Sequence, residues 1–217
     1  MSTATATAPQ TCEILHLSNI DWKTYTRLLY IFAEKPGVRL AFDNGELEIM
    51  SPLLKHDKDG SFLAVLVGVL TEEMGLPISR GGSTTLRRRR SERGIEPDEC
   101  YWIANAHRMK GKRVLDLRRD PPPDLAIEVD VTHSSLDRMA IYAALGVQEL
   151  WRLEGDELTF HVLVDGEYCA SEFSRSFPLI APADLLGYLQ RARRSSNENP
   201  VIRAFRKWLK RRLGQRQ

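Results

Sequence analysis

The sequence predicts a mixed α/β fold built around a central β-sheet. Apolar residues recur with helical spacing in some segments and alternate with polar residues in others, and the two kinds of segment interleave along the chain. The order is helix, antiparallel hairpin, helix, strands, helix, strands and helices, which is typical of a layered α/β domain. With 217 residues, 42% of them hydrophobic, the chain can bury one substantial core.

Turn residues set the boundaries of the elements predicted in the first half of the chain. Pro36-Gly37 ends a helix, and Asn44-Gly45 accepts the positive φ angles of a tight hairpin turn. The predicted elements are a helix over residues 21–33, paired strands over 38–42 and 46–50, a helix over 59–74, and strands near Ile78 and over 84–88.

Proline and glycine divide the second half in the same way. A basic loop over residues 105–120 ends at Pro121-Pro122-Pro123. Ser134, with the acid Asp137 three residues later, is expected to cap a helix that Gly146 ends. The other predicted elements are strands over 98–103 and 125–131, a hairpin over 148–153 and 157–164, and helices over 182–193 and 200–213.

Charge divides the chain into an acidic body and a basic end. Residues 191–217 contain ten Lys and Arg against the single acid Glu198, which leaves 21 of the 31 basic and 28 of the 29 acidic residues for the rest. This distribution predicts a polyanionic partner that the basic end helps to bind. We expect a flexible tail over residues 1–18, one domain over residues 19–194, and a basic amphipathic helix over residues 195–217.

Cysteine usage and hydropathy predict a cytoplasmic protein with no membrane span. Cys12, Cys100 and Cys169 are widely spaced and odd in number, which argues against a disulfide framework and a structural zinc site. Residues 1–11 lack the basic start and apolar stretch of a secretory signal. The longest apolar run, residues 62–70, is shorter than the ~20 residues that a spanning helix needs.

Acidic residues occupy two segments that otherwise have the apolar character of buried strands. Asp98 begins one strand, and Glu128 and Asp130 share a face of the next because they are two residues apart. Carboxylates are costly to bury, so these predict metal binding or acid–base chemistry. Asp124 is about 13 Å from Glu128 along the strand, too far to share one ion, which leaves Asp98 as the better partner. Alternatively, these acids pair with arginines, and Asp130 bridges to Arg138.

The acids belong to a longer pattern that resembles the PD-(D/E)xK nuclease superfamily, and more closely its Uma-type branch of restriction endonucleases of unknown target. The resemblance covers about residues 22–186. It implies a restriction-endonuclease-like core, a central mixed sheet flanked by helices, with an N-terminal helix and hairpin and a basic C-terminal helix. The stretches that carry it are Asp43-Asn44-Gly45-Glu46-Leu47, Met50-Ser51-Pro52, His56, Glu96-Pro97-Asp98, Pro122-Pro123-Asp124-Leu125, Ile127-Glu128-Val129, Tyr142-Ala143-Ala144-Leu145-Gly146-Val147 and Glu149-Leu150-Trp151.

The resemblance further implies a metal site. It implies that Mg²⁺, or Mn²⁺ in its place, binds Asp98, Glu128 and the carbonyl of Val129, lowers the pKa of a bound water and neutralises charge on a scissile phosphate. Glu46 and His56 match positions that face the same cleft. Glu46 is expected to hold the metal through water, and His56 to contact phosphate or assist proton transfer. On the residues alone, Glu46 could be an ordinary exposed strand residue and His56 a solvated loop residue.

One motif position departs from the superfamily pattern. The third motif residue is normally a lysine that orients the attacking water, and this chain has Asp130 there. A related branch carries the basic residue on the following helix, where the matching residue is Arg138. Arginine stays protonated, so Arg138 can stabilise transition-state charge or position a hydroxide, but it cannot be the general base.

The predicted function is that of a magnesium-dependent endonuclease that acts on DNA, with RNA as an alternative substrate and a homodimer as the expected assembly. The competing prediction is a catalytically impaired nuclease fold that binds nucleic acid or a partner as a regulatory module. The cations expected to contact nucleic acid are Arg87, Arg88, Arg89, Arg206, Lys207, Lys210 and Arg211. Alternation along a strand places only half of the run Arg87, Arg88 and Arg89 on one face. The C-terminal helix is expected to dock onto the domain or a partner subunit, with its basic face outward.

Overall fold

The computed structural model describes residues 13–33, 35, 37–51, 54–129 and 134–215. These residues form five α-helices and two β-sheets, which confirms the mixed α/β class. The helices are α1 (Trp22–Phe32), α2 (Leu54–Glu73), α3 (Arg138–Leu145), α4 (Pro182–Arg193) and α5 (Asn199–Gly214). The strands are β1 (Glu13–Leu17), β2 (Arg39–Asp43), β3 (Glu46–Ser51), β4 (Ser79–Arg80), β5 (Leu86–Arg88), β6 (Arg93–Ile95), β7 (Glu99–Trp102), β8 (Leu125–Val129), β9 (Glu149–Glu154), β10 (Glu157–Val164) and β11 (Glu167–Ser171).

The first sheet is antiparallel and has the strand order β1-β3-β2-β6-β5. β2 and β3 form the predicted hairpin, and the φ angles of Asn44 and Gly45 are 45° and 91°, as a tight turn between twisted strands requires. One face of the sheet is covered by α1, whose buried Tyr25 stacks on Phe42 of β2 with ring centroids 4.6 Å apart. The other face is turned towards the second sheet.

The second sheet lies between two layers and has the strand order β11-β10-β9-β8-β7-β4. β8 and β9 are parallel, and the other neighbouring pairs are antiparallel. One face packs against α2, α4 and α5 in a core that includes Phe62 and Phe205. The opposite face packs against α3 and the first sheet in a core that includes Ala41, Ala126 and Tyr142. All five residues of β8 are buried, so its side chains alternate between the two cores.

Three short strands are absent from the sequence prediction. Residues 13–17, expected to lie within a flexible tail, form β1 and pair with β3, whereas residues 1–12 of that tail lie outside the described residues. β6 and β11 are also additional to the predicted elements. Short strands carry a weak sequence signal because they bury few side chains.

Two helices begin elsewhere than the sequence predicts. α2 starts at Leu54, five residues before the expected start. α3 is capped by Asp137, whose side chain accepts a hydrogen bond from the Ala140 N–H at 3.0 Å. Ser134 does not serve as the cap, because its hydroxyl donates instead to Glu48 of β3.

α5 docks onto the domain through an apolar face, as its pattern predicts. Val201, Phe205 and Leu209 are buried in the core shared with α2 and α4. No helix in the described ranges is both long enough and apolar enough to cross a membrane.

Candidate active site

Two acids meet where β7 begins and β8 ends. Ile127 points into the core beneath α2, so alternation turns Glu128 towards α3. Glu99 is opposite Ile127 in the antiparallel register, and one further residue places Asp98 opposite Glu128. Opposed residues in such a pair share a face, with Cβ atoms about 5 Å apart. The structure therefore brings together the two acids that the sequence predicts as metal ligands.

The Asp98 carboxylate is fixed at the strand end by the backbone. It accepts a hydrogen bond from the Val129 N–H at 2.7 Å. A Cβ built on Gly60 of α2 would lie 3.7 Å from both the Asp98 Cβ and the Val129 Cγ2, so this turn of α2 packs at ordinary contact distance from the two strand ends. Among the described residues no hydrogen bond reaches the second carboxylate oxygen of Asp98, Oδ1, which leaves it available to a ligand.

α3 covers Glu128 with two side chains. Arg138 and Tyr142 are four residues apart and therefore lie on one face of the helix. The Arg138 guanidinium forms an ion pair with Glu128 Oε1, and the Tyr142 hydroxyl donates a hydrogen bond to Oε2. The ion pair is close but poorly directed, because Glu128 Oε1 and Arg138 Nε both lack a hydrogen-bond partner within the described ranges. Glu128 is only 5% exposed, so its charge is neutralised mainly by Arg138.

Burial changes the protonation of this cluster. Burial, followed by the charge of Glu128, raises the pKa of Asp98 to about 7, although the neighbouring N–H and the guanidiniums of Arg138 and Arg39 act in the opposite direction. Burial and the same glutamate raise the pKa of Tyr142 well above its ordinary value, so the phenol remains a hydrogen-bond donor. Two acids that repel each other in a low-dielectric site favour binding of a further cation.

Glu128 opens onto a cleft of about 160 Å³ between α3 and β9. Arg152 lines this cleft and is the register partner of Glu128 on the parallel strand. Its guanidinium donates to Met139 Sδ at 3.2 Å and forms an ion pair with Glu154. The cleft therefore has cationic groups on both sides of Glu128.

Glu48 is a buried acid that the sequence reasoning missed. It lies on β3, is 1% exposed, and accepts hydrogen bonds from the Ser134 hydroxyl, the Ser135 N–H and hydroxyl, and the Leu136 N–H. These residues directly precede α3, so Glu48 fixes the segment that positions Arg138. The available signal was an acid between Leu47 and Ile49 in a predicted strand.

The other predicted site residues are located differently. Glu46 shares its face with Glu48 but is half-exposed, and it forms an ion pair with His16 Nε2 at 2.9 Å and accepts a hydrogen bond from the Ser18 hydroxyl at 2.8 Å. His56 belongs to α2, but its side chain lies outside the described part of the structure. Asp130 also lies outside the described residues.

The predicted nucleic-acid contacts fall on different surfaces. Arg88 donates to the carbonyls of Ala144 and Leu145 at 2.8 and 3.1 Å, so it stabilises the carboxyl end of α3, while Arg87 and Arg89 are exposed. α5 packs on the sheet face opposite to α3. Its cations are thus separated from the two acids by the sheet.

Two α5 cations are engaged with α2. Arg206 forms ion pairs with Glu72 and Glu73, and Lys210 lies 3.5 Å from Glu73. Lys207 and Arg211 are exposed. The outer face of α5 therefore keeps part of its positive charge for a partner.

The donor set fits a hard divalent cation. Asp98, Glu128 and the Val129 carbonyl offer oxygen ligands, and Mg²⁺ commonly binds through one or two carboxylates while keeping several waters. Within the described ranges no group of three His, Cys, Asp or Glu side chains is arranged to hold a metal alone. Glu128 Oε1 is already in an ion pair with Arg138, so an ion bound by Asp98 and Glu128 would have to share that carboxylate with the guanidinium and complete its coordination with water.

Comparison with models of protein families identifies the family of this chain. Residues 22–193 match the family model described as "Uma2: Putative restriction endonuclease". This match spans well over half of the chain, so the protein belongs to that family, and the resemblance predicted from the sequence is confirmed.

One solved structure is similar in fold. It is described as a "putative nuclease belonging to DUF820 from Anabaena variabilis ATCC 29413", with 16% identity, a TM-score of 0.48, and coverage of 69% of this chain and 90% of that chain. The comparison with curated proteins finds no match.

Proposed function

We propose that this protein is a divalent-metal-dependent endonuclease that hydrolyses phosphodiester bonds of DNA by attack of an activated water. The observation that supports the proposal is the meeting of Asp98 and Glu128 on one buried face, beside the Arg138 guanidinium. Membership of a restriction endonuclease family supports nucleic acid as the substrate. RNA is the alternative polymer that the same chemistry would accept.

In this proposal Asp98, Glu128 and the Val129 carbonyl hold the metal, with Mg²⁺ as the expected ion and Mn²⁺ as a substitute. The bound ion would lower the pKa of a water and neutralise charge on the phosphate. Asp98 is kept in place by the Val129 N–H, and Glu128 is oriented by Tyr142. Both ligands are therefore positioned by the fold before the substrate arrives.

Arg138 supplies positive charge next to the metal ligands. Its guanidinium is always protonated, so it can donate to a phosphate oxygen and stabilise the pentacoordinate transition state, but it cannot accept the proton of the attacking water. The poorly directed pair with Glu128 leaves Arg138 Nε without a partner in the described part of the chain. Glu48 acts indirectly, as a positioning residue for the segment before α3.

The competing function is that of a nuclease fold that binds nucleic acid without cleaving it. The Arg138–Glu128 ion pair favours this candidate, because a guanidinium that neutralises a carboxylate in the protein is not free to serve a phosphate. Cleavage is the property that separates the two candidates.

The test is incubation of the purified protein with supercoiled plasmid and Mg²⁺ or Mn²⁺. We expect nicking that requires the metal and falls by at least about 10³-fold in Asp98→Ala, because a ligand to the ion is lost. Asp116→Asn, which changes an exposed acid in the loop after β7, is the matched control. Metal-dependent binding of plasmid with no nicking would favour the competing function.

Metal binding itself is measured by calorimetry. We expect Mg²⁺ to bind the wild type and to raise its melting temperature, because it relieves repulsion between Asp98 and Glu128. Equal binding by a variant that combines Asp98→Asn with Glu128→Gln would remove this site from consideration. Gel filtration of the same samples tests the expected homodimer.

A further inference from the structure

A second polar groove lies near Asp98, because its lining includes Glu96, two residues before that acid, and Arg39, whose charge acts on it. It has a volume of about 590 Å³ and is formed by the end of α1, β2 and the loop over residues 81–85. Its polar lining includes Lys35, Arg39, Ser83, Thr84 and Glu96.

Cations outnumber acids among the described residues that line the groove. Both oxygens of Glu96, the acid of this lining, are engaged by neutral donors, the Leu40 N–H at 2.9 Å and the Thr85 hydroxyl at 2.7 Å. Lys35 is exposed, and its ammonium lies over the Phe32 ring at 5.8 Å from the centroid. The described lining thus contains two cations, Lys35 and Arg39, and one acid, Glu96, whose two oxygens already accept hydrogen bonds.

Arg39 connects this groove to the candidate active site. It lies on β2, where alternation places it on the same face as Ala41 and therefore towards the second sheet. Its guanidinium is near enough to Asp98 to lower the pKa of that acid. Within the described ranges, Arg39 Nε is buried without a hydrogen-bond partner, the guanidinium has no carboxylate within ion-pair distance, and its hydrogen bond to the Val38 carbonyl is long, at 3.5 Å. Among the described residues, most of the donor capacity of this arginine has no acceptor.

The loop over residues 81–85 is held against β7 and offers hydroxyl groups. The Gly81 N–H donates to the Cys100 carbonyl at 2.9 Å, and a Cβ on Gly81 would lie 2.5 Å from Cys100 Sγ, so only glycine permits this approach. No hydrogen bond links the hydroxyls of Ser83 and Thr84 to other described residues. These hydroxyls stand at the same end of the sheet as Asp98, because β4 and β7 are antiparallel.

We propose that this groove binds a backbone phosphate of a polynucleotide, next to the phosphate that is positioned at Asp98 and Glu128. The planar guanidinium of Arg39 matches two phosphate oxygens, and the hydroxyls of Ser83 and Thr84 are additional donors. Lys35 adds charge at the open side. The identity of the ligand as a polynucleotide rests on the proposed function, whereas the phosphate chemistry rests on the groove itself.

The experiment measures binding of a short fluorescein-labelled DNA oligonucleotide, single-stranded or duplex, to the full chain in EDTA at several salt concentrations. Losing one phosphate contact should lower the log–log salt slope by about 0.7 for single strands or about 0.9 for duplex. We expect Arg39→Gln to show that loss together with about tenfold weaker binding. Arg39→Lys should keep the slope, because its charge is retained. Comparison of the two DNA forms identifies which one the groove prefers.

Arg113→Gln is the matched control, because Arg113 is exposed in the loop that leaves β7 at the end opposite to Asp98. Lys35→Gln changes an exposed side chain, so it tests the groove even if Arg39→Gln unfolds, and it should also reduce the slope. Native melting temperatures with unchanged slopes in both groove variants would overturn the proposal. If binding depends on Arg39 but the plasmid is not nicked under any metal, the groove stands and the endonuclease proposal falls. If the plasmid is nicked and both slopes are unchanged, the endonuclease proposal stands and the groove proposal falls.

Discussion

The two ends of the central strands β8 and β9 both bury carboxylates, and the donors around those carboxylates differ. At one end, Asp124 accepts hydrogen bonds from the Ile103 N–H, the Asn105 N–H and the Asn105 side-chain amide, at 2.7, 3.0 and 2.8 Å. Glu149, which is fully buried beside it, accepts three bonds from neutral N–H groups that reach both of its oxygens. These two acids organise loops and leave no oxygen for a ligand.

At the other end, Asp98 and Glu128 face each other and depend on charged neighbours. One backbone N–H reaches Asp98, and Glu128 is satisfied by a phenol and an ion pair with Arg138. Buried acids that are saturated by neutral donors stabilise local structure, whereas acids that repel each other create a demand for cations. The same residue type therefore serves two purposes on one sheet, and the donors distinguish them.

The largest expected effect concerns the Arg138–Glu128 ion pair at the candidate active site. Arg138→Ala should lower the free energy of unfolding by about 3–5 kcal/mol, because it leaves the buried Glu128 charge unpaired. Combining it with Glu128→Gln should restore most of that stability, as measured by urea unfolding in a double-mutant cycle.

Arg118→Ala provides the control for this cycle, because Arg118 forms an exposed ion pair with Asp116 and should change stability little. A stable Arg138→Ala variant that has lost nicking would contradict the neutralising role and leave only a phosphate role. Full nicking activity in Arg138→Ala would rule out the phosphate role.

The next prediction directly compares the buried acids at the two ends of the sheet. Glu149→Leu should lower the free energy of unfolding by about 2–3 kcal/mol, since it leaves buried N–H donors without an acceptor, while nicking per folded molecule is retained. Asp98→Asn should show the reverse, with nicking lost and stability kept, because it removes a buried charge that Glu128 repels. Similar losses of both properties in the two variants would show that the distinction between the ends is wrong.

The sequence predicted the pair of acids because strand geometry is local. The apolar character of residues 125–129 predicts a buried strand, and alternation then fixes which face Glu128 occupies. Excluding Asp124 as a partner for Glu128 on distance also agrees with the structure, since Asp124 holds the loop after β7. The turn at Asn44-Gly45 and the end of α3 at Gly146, whose φ is 83°, were predictable from backbone preferences alone.

Contacts between segments far apart in sequence could not be predicted in the same way. Glu48 and Ser135 are 87 residues apart, and nothing in either segment specifies that they meet. Tyr142 was noted only as part of a stretch that resembles the nuclease family, although a buried tyrosine hydroxyl requires a polar partner, which proved to be Glu128. The proximity of Arg39 to Asp98 depends on how the first sheet packs on the second, which the local sequence does not specify.

A smaller effect decides between Glu46 and Glu48. Family resemblance assigns a cleft role to Glu46, whereas the structure gives Glu48 four hydrogen bonds to the segment before α3. We expect Glu48→Gln to lower the free energy of unfolding by about 1–2 kcal/mol and kcat/KM for DNA by about tenfold, because Arg138 is less well positioned. Glu46→Gln, measured in the same nicking assay, should lose less. A larger loss in Glu46→Gln would favour the assignment based on resemblance.

The last expected effect is a pH dependence of stability that Asp98 causes. The folded-state pKa of Asp98 is about 7, whereas its ordinary value is 3.8, because burial and then Glu128 disfavour the charged form. Between these pH values the unfolded chain has released the proton that the folded chain retains, so the free energy of unfolding should fall as pH rises and level off above about pH 7. The slope for one group is at most about 1.4 kcal/mol per pH unit. Asp98→Asn removes the titrating group, so its stability relative to wild type should grow across this window in urea titrations without metal. Parallel pH profiles for the two proteins would show that Asp98 ionises normally and that its burial beside Glu128 creates no demand for a cation.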